Sequence, residues 1–278
     1  MAALAASVLG AGCDEHDRGV STEADRGSDR PAVALKQRTG QIILPLDRFS
    51  ASHRERGVIE YAGELLIADC MGRAGHGYRV IDRRTERPEP SRRYGPWHRG
   101  SILRHGYRAV DTPLAQRFQA NKMAPRPIGE QRALASCSRR ARRISLPDPL
   151  PGDLAAFSTH SSALESQRAK RAIQAWHSCL KDSGIIPPGS ADPWTPRSAL
   201  HGSERQIVTA LADLRCKSRV RLVTRLAHAE AAIQSRWIAA NHETLREQQD
   251  RIAAAVSAAE LVIARLEPQS SSAVPPHR

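Results

Sequence analysis

Between residues 83 and 108 the chain interleaves arginines with aromatic residues. A planar guanidinium binds phosphate or carboxylate through two parallel hydrogen bonds, and an exposed aromatic ring stacks on sugars or bases. The candidate anion-binding residues are Arg83, Arg84, Arg92, Arg93, Arg99, Arg104 and Arg108, with Tyr94, Trp97 and Tyr107 as candidate aromatic contacts. The alternative interpretation is a solvated, arginine-rich loop without a specific ligand.

This segment lies within a wider concentration of positive charge. The 278 residues include 42 Lys+Arg and 29 Asp+Glu, a formal charge of +13, and residues 79–143 carry 17 basic and 5 acidic side chains, a net +12. Only five of the basic residues are lysines, and an arginine excess beside abundant alanine is typical of GC-rich coding. The high isoelectric point is therefore weak support for nucleic-acid binding.

Cysteines supply the second kind of chemistry. Apart from Cys13 there are four, an even number that favours an oxidising compartment: Cys70, Cys137, Cys179 and Cys216. Four cysteines allow three pairings, and we favour the sequential one, Cys70–Cys137 and Cys179–Cys216, because each bridge would join neighbouring segments. Four buried free thiols are the alternative.

Residues 1–12 read MAALAASVLGAG and precede Cys13. Small apolar residues before a cysteine are typical of a truncated lipoprotein signal, in which the cysteine is lipidated and becomes the mature N-terminus. The stretch is shorter than the roughly 20 apolar residues that span a bilayer. It lacks a basic start, and Leu9 lies four residues before the cysteine rather than three. The alternative is a disordered N-terminus of a cytosolic protein.

Common catalytic and metal-binding motifs do not occur. The sequence has no GxSxG, HExxH, Walker phosphate loop or EF-hand loop, and no cysteine–histidine spacing typical of zinc. We expect no enzyme activity, no cofactor and no metal site.

The pattern of apolar residues predicts a mainly α fold with two small helical lobes. A disordered tether over residues 14–40 precedes a lobe over residues 41–145, in which a helix capped at Ser50 or Ser52 ends near Gly72 and is followed mostly by loop, with a short helix near residues 101–105. A proline-rich linker at residues 146–152 leads to the second lobe, residues 153–267, and residues 268–278 form a disordered tail.

Two features organise the second lobe. Ser162 and Glu165 have the spacing of a capping box, before a helix with Trp176 and Leu180 on one face that ends at Gly184. Residues 203–267 contain neither glycine nor proline, so we favour one long, unbroken or kinked helix. The alternative is a helical hairpin that folds back near residues 241–250, where only one residue is apolar.

Several short segments carry a resemblance to a known family. They are LPLDRF at 44–49, Cys70–Met71, RRYG at 92–95, AWHSCL at 175–180, ADPW at 191–194 and DLRCKSR at 213–219. In these the chain resembles a family of uncharacterised secreted proteins and lipoproteins from high-GC actinobacteria of the Streptomyces type. The resemblance implies export and a cysteine framework, and it implies no activity.

The sequence thus predicts an exported protein, lipid-anchored through Cys13 at the extracytoplasmic face of the cell membrane. Its expected role is binding or scaffolding, with an anionic envelope polymer or an acidic protein as partner. The alternative is a cytosolic protein that binds nucleic acid through residues 79–143.

Overall fold

The computed structural model describes residues 32–109, 111–146, 149–190, 192–200 and 203–267. The expected signal segment with Cys13 and the expected tail of residues 268–278 lie outside the described residues. Within them the chain is mainly α-helical, which confirms the predicted fold class. The regular elements are β1 (Ala34–Lys36), β2 (Gln41–Ile43), α1 (His53–Arg73), α2 (Arg99–His105), α3 (Pro113–Met123), α4 (Ile128–Ala141), α5 (Pro151–Glu165), α6 (Gln167–Asp182), α7 (Ser203–Arg219), α8 (Leu222–Ala240) and α9 (His242–Leu266), with short 3-10 helices at Pro45–Phe49, Arg142–Ile144 and Arg197–Leu200.

The tether predicted over residues 14–40 is wrong for its last part, which forms a β-hairpin. Strands β1 and β2 pair antiparallel, with Leu35 opposite Ile42. The turn ends at Gly40, whose φ of +71° is a conformation that glycine adopts without steric penalty. Ile42 is buried in the main core, so the hairpin belongs to the folded body. Strands of three residues are too short to show an alternating pattern.

The predicted first helix is confirmed as α1. The Ser52 hydroxyl accepts a hydrogen bond from the backbone N–H of Glu55, and the Glu55 carboxylate accepts one from the backbone N–H of Ser52, which completes a capping box.

The prediction that residues 79–143 are mostly loop is wrong, because this segment contains α3 and α4 as well as the expected short helix, α2. Thr112 caps α3 and Pro113 occupies its first turn. Helix α4 begins directly after Pro127 and buries only Cys137 and Ala141. Such a narrow apolar face on an arginine-rich helix leaves little periodic signal in the sequence.

Helices α5 and α6 meet at Ser166 rather than at the predicted cap, Ser162. Helix α5 continues through Ser162, and the Ser166 hydroxyl accepts from the N–H of Ala169 to cap α6. The rest of the prediction for α6 is confirmed, since Trp176 and Leu180 are fully buried and Gly184 follows the helix with a φ of +70°.

Residues 203–267 form three helices, so the favoured single long helix is wrong. The first break is at Arg221, which has the left-handed backbone conformation (φ 54°, ψ 40°), and the second is at Asn241. The alternative, a hairpin near residues 241–250, places a break correctly, but α9 packs mainly along α1 and not back along α8.

Residues 146–152 do not separate two lobes. Leu150 is buried with Ala51, which precedes α1, and with Ile252 of α9. Ala259 of α9 packs against Ile59 and Ala62 of α1. The described residues therefore form one compact unit in place of the two predicted lobes.

The main core lies between α6, α7, α8 and the loop segment 92–97, which turns at Gly95. A disulfide joins Cys179 of α6 to Cys216 of α7, and a second one joins Cys70 of α1 to Cys137 of α4. Both bridges are those of the sequential pairing, so this prediction is confirmed.

Candidate functional site

A cavity of about 560 Å³ opens between α1, α3, α4 and the start of α5. We call it the α1–α4 cavity. Its volume lies within the range of about 300–1,000 Å³ that is usual for small-molecule sites. Most of its wall is apolar, with side chains from Ile59, Ile67, Phe118, Leu134, Leu146 and Leu150.

The apolar wall holds one buried acid. Glu64 of α1 is 4% exposed, and the Tyr78 hydroxyl donates to its two carboxylate oxygens at 3.2 and 3.1 Å. Burial raises the pKa of Glu64 above the usual value for glutamate, while the hydrogen bond from Tyr78 and the charge of Lys122 act in the opposite direction. The cavity therefore offers a strong hydrogen-bond acceptor in a poorly hydrated setting.

The rim of the α1–α4 cavity carries positively and negatively charged side chains, and only some of them form ion pairs. Lys122 and Arg142 are exposed, and the Lys122 ammonium lies 4.0 Å from the centroid of the Phe118 ring, a cation–π contact. Glu60 pairs with Arg83 at 3.0 Å, and Asp153 lies 3.9 Å from Arg56. Lys122 and Arg142 are thus the rim cations that form no ion pair with a described carboxylate.

A glycine inside α1 lies at the wall of the cavity. Gly63 lines it, and a Cβ atom built on Gly63 would have no heavy atom within 4 Å outside its own helix backbone and chain neighbours. Glycine in a helix interior costs about 1 kcal/mol relative to alanine. At Gly57 the backbone of Arg84 would lie 3.1 Å from such a Cβ, so close packing accounts for that glycine. Gly63 has no comparable packing reason.

The disulfide between Cys70 and Cys137 fixes the two main walls of the cavity to each other. It joins the last turns of α1 to α4, and its sulfur atoms lie in an apolar cluster with Ile67, Met71 and Ala141. The separation of the walls is therefore set by a covalent bond as well as by packing.

The aromatic contacts predicted from the sequence are wrong. Tyr94, Trp97 and Tyr107 are all buried, and none of their rings faces solvent for stacking. Tyr94 and Trp97 lie in the main core, while Tyr107 packs against α7.

Four of the predicted anion-binding arginines have partners within the protein. Arg83 pairs with Glu60 and Glu86, Arg84 with Asp82 and Glu267, and Arg93 with Glu230, while Arg92 donates to the backbone carbonyl of Tyr107. These contacts occupy the guanidinium groups that a phosphate or carboxylate would need. Arg99, Arg104 and Arg108 are exposed and form no ion pair with a described residue.

Two buried charge networks hold segment 92–97 against α7 and α8, and neither was predicted from the sequence. In the first, fully buried Glu230 accepts from Arg93, from the Tyr94 hydroxyl at 2.7 Å and from Gln234 at 2.9 Å, and His160 Nδ1 lies 2.9 Å away. Burial acts to raise the pKa of Glu230, but these hydrogen bonds and the Arg93 charge outweigh it, so the pKa is lowered.

The second network is centred on Asp213. Its carboxylate accepts from the Trp176 indole at 2.7 Å and from the Tyr107 hydroxyl at 2.9 Å, and it pairs with Lys217 at 3.1 Å. The Lys217 ammonium also donates to the carbonyl of Pro96 at 3.0 Å. Both networks position structural segments, and neither opens into the α1–α4 cavity.

The sequence did not predict the residues that line the α1–α4 cavity. One signal was available, since Gly63 and Glu64 interrupt an otherwise apolar stretch of a predicted helix, and an isolated glycine in such a pattern indicates a packing or functional reason.

No family model, curated protein or solved structure matches this chain significantly. Among the described residues there is no cluster of three or more histidine, cysteine or acidic side chains that could hold a metal ion. No helix in the described ranges is long and apolar enough to cross a membrane.

Proposed function

We propose that this protein is an exported binding protein of the cell envelope that holds a small amphipathic molecule in the α1–α4 cavity without transforming it. Gly63 carries the proposal, because it is a helix-interior glycine at the wall of an apolar cavity that lowers stability and has no packing role. Residues that lower the stability of a protein and have no structural role are typical of functional sites.

The two disulfides support the compartment in this proposal. Disulfides persist in oxidising environments and are rare in the cytosol, where thiols are kept reduced. Attachment to the membrane through a lipid on Cys13 is part of the same proposal and rests on the sequence alone.

The lining defines the class of ligand. An apolar body fits against Ile67, Phe118 and Leu134, and a hydroxyl or ammonium group on it would donate to Glu64. An anionic group on it would meet Lys122 and Arg142 at the rim. Because a charge-assisted hydrogen bond in an apolar pocket is stronger than one in water, the donor to Glu64 would fix the orientation.

Filling the cavity tests the proposal. Leucine at position 63 projects into the cavity, so we expect Gly63→Leu to weaken binding of 1-anilinonaphthalene-8-sulfonate, an apolar anion, by about tenfold or more. The same change raises the free energy of unfolding by up to about 1 kcal/mol, because leucine is a far better helix former than glycine. Probe fluorescence measures the first effect and urea denaturation the second.

Gly72→Leu is the matched control. Gly72 is also in α1 and also has open space around its missing Cβ, but it is exposed and lies outside the cavity. It should gain similar stability and bind the probe as the unmodified protein does. Equal probe binding by Gly63→Leu and Gly72→Leu would show that the α1–α4 cavity is not the binding site.

Export and anchoring have a separate test. After expression in an actinobacterial host with any missing upstream codons restored, we expect the protein to partition into the detergent phase and Cys13→Ser to remain in the aqueous phase. Cys70, Cys137, Cys179 and Cys216 should resist alkylation until a reductant is added. A soluble product in which these four cysteines and Cys13 all react without a reductant would place the protein in the cytosol.

A further inference from the structure

Helices α3 and α4, with the short 3-10 helix that follows them, carry an unbalanced positive charge. Residues 113–143 include eight basic side chains and one acidic side chain, Glu130, which pairs with Arg126 at 2.9 Å. The other seven basic side chains are exposed and form no ion pair with a described residue: Arg117, Lys122, Arg132, Arg139, Arg140, Arg142 and Arg143. A concentration of unpaired charge of one sign attracts a partner of the opposite sign.

The outer face of α4 aligns part of this charge. Ile128, Arg132 and Arg139 follow one another at intervals of four and seven residues, which places them on one side of the helix. Cys137, on the opposite side, is buried and bonded to Cys70 of α1. Helix α4 therefore rests on α1 by one face and presents two cations and an apolar side chain to solvent by the other.

Two apolar side chains protrude beside these cations. Met123, the last residue of α3, is 79% exposed, and Ile128, the first residue of α4, is 68% exposed. Single exposed apolar residues are common on protein surfaces, so exposure alone would decide nothing. Here the two side chains flank the same turn of four residues, with Lys122 next to one and Arg132 one helical turn after the other. Apolar side chains together with cations are typical of surfaces that lie on an anionic bilayer.

The turn between α3 and α4 is held in place by Arg126. The Arg126 guanidinium donates to the backbone carbonyls of Asn121 at 2.7 Å and of Ala124 at 3.1 Å, and it pairs with Glu130 in the first turn of α4. Only 9% of the Arg126 side chain is exposed. The one paired arginine of this segment therefore fixes the turn that carries the two exposed apolar side chains.

We propose that residues 113–143 dock on an anionic lipid bilayer, with their exposed cations against the headgroups and with Met123 and Ile128 inserted among the acyl chains. The opposite charges attract, and burial of the two apolar side chains adds a contribution that salt does not screen. A soluble anionic polymer or a nucleic acid offers no apolar layer for these side chains, so a bilayer is the partner that uses both features. Because Lys122 and Arg142 also line the α1–α4 cavity, docking would bring the mouth of that cavity to the bilayer. This inference shares the export of the chain with the proposed function, and it does not depend on a ligand in the cavity.

Cosedimentation with phospholipid vesicles tests this proposal. The protein used is the full chain with Cys13→Ser, so that a lipid anchor cannot contribute to binding. We expect saturable binding to vesicles of phosphatidylglycerol and phosphatidylcholine in equal parts, weaker binding at high salt, and none to phosphatidylcholine alone. Arg132→Gln combined with Arg139→Gln should weaken binding by about tenfold or more, because each cation near an anionic surface adds to the attraction. Met123→Ser combined with Ile128→Ser should weaken it by about threefold or more, because less apolar surface is buried.

Each pair of substitutions has a matched control at exposed positions outside residues 113–143. Arg168→Gln with Arg171→Gln removes the same charge from α6. Leu154→Ser with Phe157→Ser removes two exposed apolar side chains from α5. Both controls should bind the anionic vesicles as the parent chain does.

Four results would overturn the proposal. The first is the absence of saturable binding to anionic vesicles, and the second is an equal effect of the two arginine pairs, which would mean that only the overall charge matters. Binding unchanged by Met123→Ser with Ile128→Ser would indicate a soluble anionic polymer as the partner. Tighter binding to duplex DNA than to the vesicles at the same salt would indicate nucleic acid. Neither Arg132 nor Arg139 lines the α1–α4 cavity, so probe binding in that cavity remains a separate measurement.

Discussion

Glu230→Ala is expected to lower the free energy of unfolding by about 3 kcal/mol. Removing one partner of a buried ion pair leaves the other charge without compensation, at a cost of about 3–5 kcal/mol. The lower end applies here because 26% of the Arg93 side chain reaches solvent, whereas Glu230 is fully buried. The substitution also leaves the Tyr94 hydroxyl and the Gln234 amide without their acceptor.

Urea denaturation of Glu230→Ala and Glu260→Ala measures this effect. Glu260 is an exposed residue of α9 and forms no ion pair with a described residue, so its removal should change the free energy of unfolding by less than about 0.5 kcal/mol. If Glu230→Ala were as mild as this control, the Arg93–Glu230 contact would contribute nothing to the fold.

Removing either disulfide is the second large effect. The bridges span 67 and 37 residues, and the loop-entropy relation gives a loss of about 4 kcal/mol for each pair of cysteines changed to serine. The longer loop should cost about 0.5 kcal/mol more than the shorter one. Denaturation of each double variant with and without a reductant measures these losses.

The two disulfide variants should differ in ligand binding. Loss of Cys70–Cys137 releases the walls of the α1–α4 cavity and should weaken probe binding, whereas loss of Cys179–Cys216, in the main core, should leave it unchanged. The reduced, unmodified protein should be as unstable as the variant lacking all four cysteines. Denaturation midpoints that do not respond to reductant or to substitution would mean that the sulfurs are not bonded.

Local signals predicted the fold best. The cap at Ser52 and the glycine after α6 depend on neighbouring residues, and both appear in the structure. The sequential cysteine pairs also appear, although they join residues 67 and 37 positions apart. The break at Arg221 was not predictable, because no glycine or proline marks it and tertiary packing imposes the turn on a sequence with helical periodicity.

The candidate sites depend on contacts that the sequence does not reveal. Arg93 and Glu230 are 137 residues apart in the chain. Because charged side chains are normally exposed, the sequence predicted an exposed Arg93. The α1–α4 cavity is lined by residues of α1, α3, α4 and α5, which are far apart in the chain. The sequence predicted that the aromatic rings of the arginine-rich segment are exposed, but these rings are buried.

The order of the cysteines along the chain has a consequence for biogenesis. A polypeptide emerges from the ribosome or a translocation channel with its N-terminus first, so Cys70 and Cys137 are both available before Cys179 has appeared. Apart from Cys13, which the proposal gives to the lipid, each bridge joins two cysteines that are consecutive in the chain, and neither loop encloses a cysteine of the other pair. The native bridges can therefore close in sequence during emergence, without a wrong pair having to be reshuffled by an isomerase.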